Sequence, residues 1–160
     1  KNGDYESLKE YLESLVDDDN KVWGETRYCE NNTVNMILTM YKRRASQNGI
    51  SVKISAKASA VLAVPPQDLV VVIANLFENA INEVANLKSK EGYIDIQIKD
   101  SPERLLIKID NPCRANLTFD ENLYGIGIRS VISTTNKYEG MYDFTAEDGV
   151  FSAKIILNLK

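Results

Sequence analysis

The sequence predicts an α+β protein, a two-layer α/β sandwich with helices over one face of a sheet. Three observations carry this. Several short runs alternate apolar and polar residues, as half-buried strands do. Four of these runs fall into two pairs, each joined by a short turn. Other stretches repeat apolar residues at helical spacing. Paired strands of this kind carry one apolar face, and the amphipathic helices are the elements available to cover it.

In chain order, Asp4–Val16 places Tyr5, Leu8, Leu12 and Leu15 at helical spacing, behind a turn and cap at Asn2-Gly3-Asp4. The apolar stripe is narrow, as in a helix that packs on another helix. Asp17–Asn20 is a charged break, and Trp23-Gly24 reads as a loop anchor. Asn31–Asn48 is a second helix with Val34, Ile37, Leu38 and Tyr41 apolar. Lys42, Arg43 and Arg44 fall in its last turns, where the helix dipole favours cations, and Gly49 ends it. Ile50–Ala58 alternates Ile50, Val52, Ile54 and Ala56 with Ser and Lys, a half-buried strand.

Asp68–Asn86 is the element around which the rest is organised. Pro65 and Pro66 precede it, and Asp68 is placed to cap it. At about 100° per residue, Leu69, Ile73, Leu76, Ala80, Val84 and Leu87 share an apolar face. Asn75, Asn79, Asn82 and Asn86 form a stripe on roughly the opposite side. Asparagine is a mediocre helix former because its amide competes for backbone groups, so four in one stripe cost stability. For any single Asn, a solvated face explains its presence. For Asn75 and Asn79 together a functional reading is preferred. Their amides offer a carbonyl oxygen to a hard cation and an N–H to a phosphate, without setting carboxylates against a polyanion.

Beyond Gly92, Tyr93–Lys99 (Ile94, Ile96, Ile98) and Arg104–Asp110 (Leu105, Ile107, Ile109) read as a hairpin across Ser101-Pro102-Glu103. Asn111-Pro112 breaks it. Cys113–Tyr124 is a polar loop of some length, and long loops in small domains often serve function. Gly125-Ile126-Gly127 leads into a helix whose Ile128, Val131 and Ile132 face the core, closed by Gly140. Met141–Ala146 and Phe151–Leu159 form a last hairpin across Asp148-Gly149.

Composition narrows the functions open to this chain. Its 160 residues suffice for one cored domain plus a helical appendage. A net charge of −4 with no basic run argues against nucleic acid as a partner. No apolar stretch is long enough to span a bilayer, and the expectation from these residues is a chain without a signal peptide. Cys29 and Cys113 fit no metal or redox motif and read as reduced structural thiols of a cytoplasmic protein. The chain contains no histidine, which excludes His-based base, zinc or phosphoacceptor chemistry within it.

The motifs point to a family. Asn75-Leu76-Phe77-Glu78-Asn79-Ala80 resembles the asparagine box of the gyrase, chaperone, histidine-kinase and MutL ATPase superfamily. Gly125-Ile126-Gly127-Ile128, opening a helix, resembles the end of its second glycine box. Gly-x-Gly before a helix is weak by itself, and its plain reading is a helix entry. In this order, with these strands, the pair is far more specific. The resemblance covers Ile50 to Leu159. Upstream, Gly3–Leu15 resembles the segment just after the phosphoacceptor helix in peptide-sensing, quorum-type sensor histidine kinases.

The resemblance implies a Bergerat-type ATP-binding fold with a mixed, mostly antiparallel sheet. Residues 49–160 would be the catalytic ATP-binding domain. Residues 1–48 would be a helical remnant of a dimerisation and phosphotransfer hairpin with its linker. It further implies ATP and Mg2+ as cofactors, with the γ-phosphate passing to a histidine on an upstream helix. A response regulator, a homodimeric full-length kinase and a cytoplasmic location beneath a membrane receptor follow in the same way.

On these terms Asn79 holds magnesium, Asn75 the phosphates or the attacking group, and Asn111 the adenine amino group, with Asp110 as its rival. Gly125 and Gly127 give the phosphates close backbone approach. Arg129 either touches a phosphate or makes a surface salt bridge. Glu78 is either a base or solvated. There are departures: Asn111-Pro112-Cys113-Arg114-Ala115 lacks the glycines of the first box, and Leu123 stands where the second box has its leading glycine. These imply weak nucleotide binding. They also leave open a degenerate, non-catalytic module for dimerisation or regulator docking. A serine kinase of the same superfamily is disfavoured by Gly3–Leu15.

Overall fold

A computed structural model of the chain describes residues 6–10, 26–87, 91–114 and 125–160. Most of the first expected helix, the break at Asp17–Asn20, Trp23-Gly24 and loop residues 115–124 lie outside the described residues. Residues 6–10 are helical, and Leu8 packs against the core.

The order is α1 (Asn32–Gln47), β1 (Ser51–Lys57), α2 (Pro66–Asn86), β2 (Tyr93–Asp100), β3 (Arg104–Pro112), α3 (Ile126–Lys137), β4 (Met141–Glu147) and β5 (Val150–Asn158). The strands form one five-stranded sheet in the order β1-β2-β3-β5-β4. β1 and β2 are parallel, joined across α2, and every other pair is antiparallel. This is the mixed, mostly antiparallel sheet expected from the alternation.

Local chemistry explains most boundaries. The Asn31 side chain caps α1 by accepting the Val34 N–H at 3.0 Å. Gly49, at φ +71°, takes the left-handed turn beyond the α1 cap Asn48. The β4–β5 turn has positive φ at both Asp148 and Gly149, the pair of angles a two-residue hairpin loop needs to match strand twist.

The sheet is one-sided. Ile94, Ile96 and Ile98 of β2, Leu105, Ile107 and Ile109 of β3, and Phe151, Ala153, Ile155 and Leu157 of β5 are buried. The helices contribute Ile37, Leu38, Leu69, Ile73, Leu76, Phe77 and Val131 to the same core. Phe77 stacks on Tyr41, ring centroids 5.4 Å apart, which fastens α1 to α2. Truncating a fully buried Phe such as this one costs about 3–5 kcal/mol.

Two boundaries differ from expectation. α2 begins at Pro66 with Pro65 as its N-cap, so Asp68 is not the cap; it lies in the first turn and is buried. Proline supplies the helical φ at N1 and lacks an N–H that would have gone unpaired. Asn111-Pro112 ends the β2–β3 pairing as expected, but not the strand. β3 runs through both, pairing Asn111 with Phe151 and Pro112 with Val150. The β2 register ends at Asp110, so Pro112 interrupts no bond to that neighbour. Among the described residues no helix is long and apolar enough to cross a membrane.

Candidate functional site

α2 holds the asparagines against two neighbours. Asn75 and Asn79 are half-buried, while Asn82 and Asn86 further along the stripe are exposed. Asn75 spends one amide hydrogen on its own helix, Nδ2 donating to the Val71 carbonyl at 2.6 Å. Its Oδ1 faces α3: a Cβ on Gly127 would stand 3.0 Å from it. Glycine at that position is what allows this approach. Gly125, the N-cap of α3, has φ −67° and nothing within 4 Å of its Cβ position. Among the described residues no side chain caps α3, and its first turn has no acidic residue, so none of these claims the N-terminal N–H groups.

Two turns beyond Asn75, Glu83 lies 3.7 Å from Arg114 at the exit of β3, close enough for an ion pair but too long for a hydrogen bond. Along α2 the eight residues from Asn75 to Glu83 span roughly 12 Å. Asn79 falls midway, bracketed by the start of α3 and the end of β3. Cys113 shares this corner. Burial pushes its thiol pKa up, and the Glu83 carboxylate raises it further against the opposing charge of Arg114. Glu83 was not singled out from sequence, although its position one turn after Asn79 was the available signal.

β3 delivers Asn111. It continues the inward row of Leu105, Ile107 and Ile109 and is 1% exposed. Asp110 lies on the other face beside Lys108, at 3.3 Å. Strand alternation therefore puts Asn111, not its rival, on the helix-covered side. Its Nδ2 donates to the Pro112 carbonyl at 2.9 Å, and its Oδ1 is buried with no hydrogen-bond partner among the described residues. The nearest backbone donors are absent or engaged: Pro112 has no N–H, and the Cys113 N–H goes to the Gly149 carbonyl at 2.8 Å. A buried acceptor left without a donor costs about 1–3 kcal/mol.

The other candidates separate from this corner. Glu78 faces α1, 3.6 Å from the Arg44 guanidinium with both side chains about half exposed. Arg129 is exposed and lines an open cleft of about 470 Å3 with Val71, Ile126, Ser130, Ser133 and Thr134. Val71 is one turn before Asn75, so the cleft adjoins the Asn75–Gly127 contact on its N-terminal side. Among the described residues no three His, Cys, Asp or Glu side chains cluster as a metal site.

The far end of the helix pair is fastened differently. Asp68, 8% exposed, accepts from Lys137 Nζ at 2.8 Å and from the Tyr138 hydroxyl at 2.5 Å. Burial alone would raise the Asp68 pKa, but these two hydrogen bonds outweigh it and hold the carboxyl below its usual range. Burial first, then the Asp68 bond and charge, push the Tyr138 phenol well above its usual value.

A five-stranded mixed sheet covered by helices matches the fold of histidine-kinase ATPase domains. The sequence model of the GHKL domain matches residues 64–158, and the chain belongs to that family. It is 32% identical over 118 residues to a probable C4-dicarboxylate sensor kinase of Bacillus subtilis, covering 71% of this chain and 21% of that one. The chain thus spans about a fifth of the length of this curated relative. Its fold matches the Acinetobacter baumannii histidine kinase AdeS at a TM-score of 0.64, with 16% identity over 80% of this chain and 64% of the other. The catalytic domain of histidine kinase ThkA matches at 0.63, with 12% identity over 79% and 90%. A blue-light activated histidine kinase of Erythrobacter litoralis matches at 0.66, with 14% identity over 79% and 61%. At these identities the structural matches speak for the fold alone.

Proposed function

We propose that this chain is the catalytic, ATP-binding part of a two-component sensor histidine kinase, with residues 49–160 as the catalytic domain. The observation that carries the proposal is the buried, unpartnered Oδ1 of Asn111. With its amide nitrogen turned to Pro112, this oxygen can only accept, and the exocyclic amine of adenine is a donor of matching kind.

The remaining residues fit the rest of the nucleotide. The uncapped N-terminus of α3, entered through Gly125 and Gly127, offers backbone N–H groups and a positive dipole end to phosphate oxygens. Asn79 would place its carbonyl oxygen on Mg2+. Magnesium in nucleotide sites takes few protein ligands and several phosphate oxygens, so a lone amide is compatible with the absence of a carboxylate cluster. Asn75 keeps its oxygen toward Gly127 and would orient the phosphates or the attacking group. Glu78 would act as a base only after leaving Arg44, and Arg129 would reach a phosphate from the neighbouring cleft.

ATP, when bound, supplies the γ-phosphoryl group. The protein's part is positioning and neutralisation of charge. The acceptor histidine must come from outside these 160 residues, which contain none. Residues 1–48 would belong to the dimerisation and phosphotransfer hairpin and its linker. The Gly3–Leu15 resemblance and the Asn at position 111 support the peptide-sensing, quorum-type branch. The same reading makes the full-length protein a homodimeric membrane receptor that phosphorylates a response regulator.

Titration with a fluorescent ATP analogue, with and without magnesium, tests this on the parent and on Asn111→Leu. The expected result is magnesium-enhanced binding by the parent, weakened at least tenfold in the variant, about the cost of one lost buried hydrogen bond. No binding by the parent at millimolar nucleotide would instead make the domain a non-catalytic module.

A further inference from the structure

We propose that Asp68, Lys137 and Tyr138 form a positioning clamp that sets where the phosphate-facing end of α3 rests on α2. This rests on the nucleotide-binding reading above. α2 and α3 run antiparallel, and two contacts tie them. At one end Gly127 lies against Asn75. At the other, Asp68 in the first turn of α2 takes Lys137 and Tyr138 from the last turn of α3 and its cap. The two α3 contacts are ten residues apart, roughly 15 Å along the helix.

The ends differ in kind. The C-terminal end of α3 is held by directional bonds to a buried carboxylate. It is also built onto the sheet: the Gly140 N–H donates to Thr135 O at 3.0 Å, and a Cβ on Gly140 would stand 2.1 Å from the Ile156 carbonyl oxygen. Among the described residues the N-terminal end has no side-chain cap, and Gly127 meets Asn75 by close approach with no hydrogen bond between the two. Ile128 and Val131 hold α3 on the core by apolar packing, which carries no direction of its own, so the helix takes its orientation from the end with directional bonds. A buried ion pair is weak evidence for net stability, since an apolar replacement often does as well. What Asp68 adds is direction, because its lone pairs accept only where Lys137 and Tyr138 stand.

The test uses the 160-residue chain and the variants Asp68→Asn, Tyr138→Phe, Lys137→Met and Lys137→Arg, each first checked for native circular dichroism. Two readouts are taken: amide hydrogen exchange without ligand, and affinity for a non-hydrolysable ATP analogue against adenosine. In the first three variants, exchange at residues 129–131, the first hydrogen-bonded amides of α3, should accelerate about tenfold, the scale of one charge-assisted hydrogen bond, with β2 and β3 unchanged. ATP-analogue affinity should fall by about the same factor while adenosine affinity moves less than about twofold, since only the phosphates meet α3. Lys137→Arg, which keeps charge and donors, should behave as the parent. Unchanged exchange at 129–131 overturns the clamp. So does acceleration spread over the whole fold, or an equal loss of both ligands, since these mark general loosening. If the parent binds neither ligand, the nucleotide reading fails, and exchange alone decides the clamp.

Discussion

The side-chain oxygen of Asn75 lies 3.0 Å from the point where a Cβ on Gly127 would stand. Two candidate residues 52 positions apart in sequence are thus in close contact. Gly127→Ala forces Asn75 to give by a few tenths of an ångström while its amide remains tied to Val71. Ala is the better helix former by up to about 1 kcal/mol, which offsets the strain. The variant should therefore change stability by less than about 1 kcal/mol in urea melts. ATP-analogue affinity should fall about tenfold, and a parent-like affinity would show that the contact does not matter for binding.

Gly125→Ala is the complementary case. Its Cβ would enter open space at an ordinary φ, so the fold should be indifferent. If phosphates occupy that space, calorimetry should show weaker ATP binding with adenosine binding intact. Equal affinity for ATP would place the phosphates elsewhere.

Much of this arrangement was legible in the sequence. Alternation gave the two hairpins and put Asn111 inward, because a strand's period of two is a local property. The Asp148-Gly149 turn was legible because turn chemistry is equally local. What was not legible depends on partners distant in the chain. Asp68 reads locally as a helix cap and becomes a buried acceptor through residues 69 and 70 positions away. Pro112 reads locally as a strand breaker, but it sits past the end of the β2 register. Glu78 and Glu83 look alike in sequence. Only the packing of α1 and the exit of β3 send one to Arg44 and the other to Arg114.

Asn79→Ala should abolish magnesium-dependent nucleotide binding and leave the fold intact, since Asn79 is half-buried and outside the apolar core. With the glycines of the first box absent, the parent itself should bind ATP weakly, at roughly 0.1–1 mM. Calorimetry on both proteins decides. A variant that binds Mg-ATP as well as the parent removes Asn79 from the cation site.

The acid side of the stability profile should carry the mark of Asp68. Its folded pKa lies below the unfolded value of about 3.9. The ionised carboxylate therefore contributes stability above that value, and the contribution is lost as pH falls through the folded pKa. The gap in urea midpoint between the parent and Asp68→Asn should be widest above about pH 5 and narrow progressively as pH falls below about 4. A gap constant from pH 3 to 7 would contradict the assignment.

Incubated alone with radiolabelled ATP and magnesium, this chain should acquire no acid-labile phosphate, because it has no histidine to accept it. A longer version carrying the upstream helix should become labelled and dimeric, and Asn79→Ala should abolish the labelling. Label on the short chain, or none on the long one under any magnesium condition, would end the histidine-kinase reading.

The strand order β1-β2-β3-β5-β4 also governs how this domain can be made. β3 gains its second neighbour only from residues 150–158, the last of this sheet's strands in chain order to emerge during synthesis. Until then a growing chain exposes the open edge of a strand carrying Leu105, Ile107 and Ile109, the kind of edge that recruits other strands. A ribosome stalled before Val150 would therefore hold a sticky half-sheet, and the nascent domain should depend on chaperones until its final hairpin is released.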